Sequence, residues 1–149
     1  MYSVSYLKRQ QRSYKDKLEE AKQSYRKNED EYESLLEFKR LVERSQNTFH
    51  TTQSSKKRIL EDVASVKANC LAAKRYYMGM CGIFDGIGAK IVAGVYTVLL
   101  NGIRNKLTQY RSAAERCEER IEVYREKLIE LDEQIEEAAA LAAADDLAL

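Results

Sequence analysis

From Ala89 onward apolar side chains recur at steps of three and four residues: Val92, Tyr96, Leu99, Ile103, Leu107, Tyr110, Ala114, Cys117, Ile121, Tyr124, Leu128, Leu131, Ile135 and Ala138. Such spacing over about seven heptads predicts a helix packed lengthwise on another helix. At 1.5 Å per residue the arm would reach about 75 Å. The first half carries a matching stripe at every seventh position: Leu7, Tyr14, Ala21, Asn28, Leu35, Val42 and Phe49, resuming at Val63, Cys70 and Tyr77. Its companions are Leu18, Tyr25 and Tyr32, and later Ile59, Val66, Ala73 and Met80. That column moves by one position near Phe38, which predicts a small rotation of the packed face there.

Two stretches interrupt the helical pattern. Residues 45–55, SQNTFHTTQSS, are rich in side chains that favour caps and turns, and predict a kink or break between first-arm segments 2–48 and 54–81. The chain has no proline, and all six glycines lie between Gly79 and Gly102. Glycine supplies the backbone freedom a reversal needs, so a turn is expected over residues 82–88, at Phe84, Asp85, Gly86 and Gly88. Gly79, Gly94 and Gly102 would allow close helix approach around it. The fold expected is all-α: one domain over residues 1–149, a long antiparallel coiled-coil-like hairpin, with a second arm over 89–140 and a flexible tail over 141–149.

A reversal near Asp85 would pair residues whose numbers add to about 170, with Met80 near Lys90, Ile59 near Arg111 and Tyr32 near Ala138. The second arm would then end opposite residue 30, leaving the stripe of residues 2–30 uncovered. An amphipathic helix needs its apolar face packed. The break at 45–55 could fold the first helix back into a three-helix bundle, or another chain could cover the stripe. The second solution is preferred, with Leu7, Tyr14, Leu18, Tyr25 and Tyr32 as partner-binding residues, joined by Val95, Val98 and Leu100 beyond the turn. Asn28 on the stripe could fix register, as a buried Asn in such a seam does, or be a solvated residue near the hairpin's end.

Charge and candidate chemistry narrow the function. The formal net charge of +1 argues against nucleic acid, because phosphate binding leaves a basic footprint. Residues 115–149 hold 12 acids and 4 bases, so the other residues compensate with +9. Three cysteines without a CxxC pair do not make a disulfide scaffold. GIGAKI, residues 86–91, lacks both the preceding strand and the third glycine of a dinucleotide loop. The single histidine, His50, sits in the polar stretch, and no Glu-x-x-His pair occurs. No enzyme, metal site or cofactor is expected. The N-terminus shows no signal-peptide pattern, and the uncharged apolar run 91–103 falls short of the 20 or so residues a span needs. A cytoplasmic protein is expected, with export along a partner by a signal-independent route left open. Two alternatives stand beside a helix-binding adaptor: a membrane-interacting hairpin inserting residues 78–103, and a homo-oligomeric structural coiled coil.

The Pro-free hairpin, the glycine-bearing apolar tip and the free stripe resemble the small helical proteins of bacterial type VII (ESX-type) secretion. Phe84-Asp85-Gly86 resembles an aromatic-x-Gly variant of the turn in the WXG-type superfamily. The family's Tyr-x-x-x-Asp/Glu export signal is absent after the second helix, where Tyr124 is followed by Leu128. It occurs formally as Tyr25-x-x-x-Glu29 in the first. The chain is longer than a typical family hairpin and looks closer to the α-helical partner proteins of LXG toxins. That resemblance implies a targeting factor or chaperone. It would bind the helical N-terminal domain of an LXG-type toxin in a hetero-oligomer with a second small helical protein.

Overall fold

The computed structural model describes residues 2–66 and 86–148, with single positions 75, 78, 79 and 82. The fold is an all-α helical hairpin. Helix α1 spans Val4–Val66 and helix α2 spans Ile87–Ala148, packed on each other, with no strand among the described residues. Ser3 caps α1: its Oγ accepts the Tyr6 amide at 3.2 Å, and its carbonyl oxygen accepts the Leu7 amide at 3.1 Å. A serine there satisfies amides that have no partner inside the helix. Gly86 performs the second duty for α2, its carbonyl accepting the Lys90 amide at 3.1 Å.

Helix α1 runs unbroken through residues 45–55. Each Ser or Thr costs only a few tenths of a kcal/mol in a helix interior, and Thr48, Thr51, Thr52, Ser54 and Ser55 all face solvent. Phe49 packs on Tyr96 with ring centroids 6.0 Å apart, and the Ser45 hydroxyl meets the Tyr96 hydroxyl at 2.5 Å. Tertiary packing of one face thus carries the helix across a stretch of poor intrinsic propensity. The expected tail is helical as well, to Ala148. Gly88 lies inside α2 and not in a turn, and Phe84 and Asp85 fall outside the described residues.

Contacts group the chain into two units, each holding a length of both helices: Met1–Glu33 with Thr108–Leu149, and Ser34–Leu107. In the first, Leu7, Leu131 and Ala138 form a buried cluster against which Val4, Tyr14 and Ile135 pack. Tyr14 meets Tyr124 at 6.1 Å between ring centroids, and Gln11 Nε2 donates to Asp132. In the second, Val42, Leu100, Ile103 and Leu107 are buried.

The register differs from expectation. Contacting residue numbers add to 138 for Tyr14 with Tyr124, 143 for Gln11 with Asp132 and 143 for Tyr32 with Arg111. Within the other unit they add to 141 for Ser45 with Tyr96 and 145 for Phe49 with Tyr96. The expected sum of about 170 is too large by about 28, or four heptads. Heptad stripes present the same face after any slide by whole heptads, so periodicity alone cannot choose among these registers. Coverage can: in the observed one Val4, Leu7 and Tyr14 pack near Ala138, Ile135, Leu131 and Tyr124, so the N-terminal stripe is covered. Burying the apolar residues of the N-terminal stripe favours this register.

The seam is also more regular than the sequence suggests. On α2 it passes through Ala93 and Leu100, while Val92 and Leu99 remain 40% exposed. On α1 the companion column does not move near Phe38. It continues through Lys39, Gln46 and Gln53, leaving Phe38, Leu41 and Ile59 exposed. A strict 3–4 seam on both helices keeps them in contact along their length, even where polar residues occupy it. Gln53 Oε1 is the one buried side-chain acceptor among the described residues without a hydrogen bond. Because an unmade buried bond costs about 1–3 kcal/mol, Gln53→Leu should raise stability by about 1 kcal/mol. Thermal melting checks this, and a lower midpoint would contradict it.

Candidate partner-binding surface

Six of the eight side chains expected to meet a partner belong to the hairpin's own seam. Leu7 is 4% exposed beneath Leu131 and Ala138, and Leu100 is 5% exposed. Tyr14 and Leu18 are half-buried. Tyr32, also half-buried, accepts a 2.9 Å hydrogen bond from Arg111 Nη2, whose guanidinium lies 5.3 Å from the ring centroid. Tyr25 donates to Glu29 Oε1 at 2.6 Å. The Glu29 bond, with Glu118 as the next contributor, holds the Tyr25 phenol well above its ordinary range, because removing its proton would set an anion against two carboxylates. Asn28, on the seam, donates to the Ser24 carbonyl at 2.9 Å and stands 4.0 Å from Cys117 Sγ. The free N-terminal stripe expected from the sequence is therefore covered within the chain.

Val95 and Val98 are the two that remain open, at 59% and 73% exposure. Ile87, Ile91, Val92 and Leu99 are exposed with them. At 100° per residue these six side chains fan over about 140° of α2, adjacent to the seam residues Ala93, Tyr96, Leu100 and Ile103. The opposite edge of the helix carries Lys90, Thr97, Asn101 and Arg104, all exposed. A soluble helix ordinarily directs one apolar stripe at its core; here a second stripe lies beside the first. The regular seam is the cause, since adopting Ala93 and Leu100 turns Val92 and Leu99 outward. The uncharged run 91–103 already holds the apolar side chains of this second stripe beyond Ile87, whereas the exposure of Phe38, Leu41 and Ile59 needed the register.

Glycine has a different role than expected. No atom lies within 4 Å of where a Cβ would stand on Gly79, Gly94 or Gly102, so the hairpin itself makes no close approach at these positions. Helix α2 also contains an 18-residue window of mean hydropathy 1.2, only 11% buried. By length and composition that helix is apolar enough to cross a membrane. The run 91–103 is shorter because Lys90 and Arg104 bound it.

Charge divides with the two units. The Ser34–Leu107 unit holds twelve Lys and Arg against five Asp and Glu, a net of +7, and the other holds thirteen against nineteen, a net of −6. The exposed apolar face thus lies in the basic unit. Among the described residues no group of three or more His, Cys, Asp or Glu side chains is placed to share a metal ion. His50 is exposed beside Phe49, and Cys117 is buried. Among the described residues open troughs run along the acidic unit, one of about 690 Å³ beside Tyr25, Glu29, Glu118 and Ile121 and one of about 250 Å³ between Asn28, Tyr32, Tyr110 and Arg111. Compared with protein-family models, curated proteins and solved structures, the chain matches none.

Proposed function

We propose that the protein is a non-enzymatic helical adaptor that binds a helical partner protein. The observation that carries this reading is the pair of apolar faces on α2: one is satisfied by α1, and the other, from Ile87 to Leu99, is left open beside it. An exposed contiguous apolar patch on a charged helical protein marks an interaction site, and packing is what helices of this composition need. In its more specific form the partner is the helical N-terminal domain of an LXG-type toxin, delivered with a second small helical protein to type VII secretion. The hairpin fold agrees with that resemblance, while the family's export motif is absent after the second helix and occurs as Tyr25-x-x-x-Glu29 in the first. The adaptor would act from the cytoplasm by shielding apolar helix surface until export. Co-expression with such a toxin domain from the same organism should give a complex that survives gel filtration. Separate elution of the two would refute the toxin assignment.

A second reading follows from the exposed 18-residue window: residues 78–103 enter a membrane. Vesicle flotation separates the two, since an adaptor stays with the soluble fraction.

A further inference from the structure

We infer that the open face of α2 between Gly88 and Gly102 seats a third helix, contributed by a partner protein and bearing carboxylates beside its apolar stripe. This deepens the adaptor reading and rests on it. The run Gly88, Ile91, Val95, Val98, Gly102 advances by three, four, three and four residues. That is the spacing by which one helix engages another. Space at the backbone points the same way. Nothing lies within 4 Å of a Cβ built on Gly88, Gly94 or Gly102, so large side chains of an incoming helix can settle against bare backbone at both ends of the run. The three β-branched residues between them, stiff at χ1, form a pre-ordered ridge.

Charge selects the kind of helix. The unit carrying this face has a net charge of +7, and the charged residues of α2 within it, Lys90, Arg104 and Lys106, are all basic and exposed. A second copy docking through the same face would set two such surfaces together, and like-charge juxtaposition opposes association. The acidic unit of a second copy offers only scattered exposed apolar side chains, Tyr2 and Tyr6 at the start of α1 and Val123, Ile129, Leu141 and Leu147 on α2, with no run of three at steps of three and four. An acid-flanked helix from another protein satisfies both the apolar run and the charge.

The test uses the full chain and two peptides of about three heptads, each with leucines at 3–4 spacing. One is flanked by glutamates and the other by lysines. Fluorescence anisotropy should show the glutamate peptide binding at least tenfold tighter, with affinity falling as salt screens the attraction. Val95→Asp and Val98→Asp should each abolish binding with unchanged circular dichroism and melting, and Lys90→Glu should narrow the preference. Equal binding of both peptides would overturn the acidic partner while leaving the adaptor reading intact. Binding to phosphatidylglycerol vesicles, with no peptide bound, would overturn both in favour of a lipid surface. Self-association lost on Val98→Asp would overturn the inference in favour of a second copy. Binding to none of these probes would overturn it outright.

Discussion

Deleting residues 1–28 is expected to strip hydrogen-exchange protection from α2 beyond about residue 115, although those residues lie far away in sequence. In the intact chain Leu7 covers Leu131 and Ala138, Tyr14 meets Tyr124, and Asn28 stands beside Cys117. Remove that part of α1 and Cys117, Ile121, Leu131 and Ala138 lose the surface that buries them. A lone helical arm of this kind is marginal in water. Amides of α2 nearer the basic unit keep their α1 partners and should stay protected. The register expected from the glycines makes the opposite forecast, because residues 2–30 would then cover nothing. Protection retained beyond residue 115 in the truncated chain would refute the observed pairing.

Leu131→Ala should destabilise the protein by about 2–5 kcal/mol, the range for truncating a buried leucine. For a chain of this size that corresponds to a fall in Tm of roughly 5–15 °C. Leu131 is 3% exposed and sits in a buried cluster with Leu7 and Ala138. Ile129, two residues away and 61% exposed, supplies the contrast: Ile129→Ala should stay within about 0.5 kcal/mol. A double-mutant cycle sharpens the result. Leu7→Ala and Leu131→Ala remove members of one cluster, so their effects should fail to add by about 0.5–3 kcal/mol. Additive effects would mean that Leu7 and Leu131 do not share a packing site. Melting followed by circular dichroism measures all four proteins.

Much of the fold was legible because helix periodicity is a local property. The 3–4 spacing from Ala89 to Ala138, and the seventh-residue stripe from Leu7 to Phe49, identified two helices that must pack along their length. Residues 45–55 misled because Ser and Thr propensities are weak, and the contact of Phe49 with Tyr96 is invisible to a local reading. Val92 and Leu99 looked like seam residues because they are larger and more apolar than Ala93. Packing instead selected the positions that preserve a regular seam, and the larger side chains were turned outward. Of the residues expected to meet a partner, Val95 and Val98 are exposed, whereas Leu7, Tyr14, Leu18, Tyr25, Tyr32 and Leu100 are held by the hairpin itself.

By itself the sequence determined the all-α class, the two arms and most of the seam positions, because each follows from side-chain spacing along one helix. It could not determine which heptad of α1 meets which heptad of α2. A slide by four heptads presents the same kind of face, and only the whole chain decides how much apolar stripe each slide leaves bare. The tertiary structure made that choice by matching the stripes from Val4 to Ala138. In doing so it moved the uncovered surface from the N-terminal stripe to the Ile87–Leu99 face of α2.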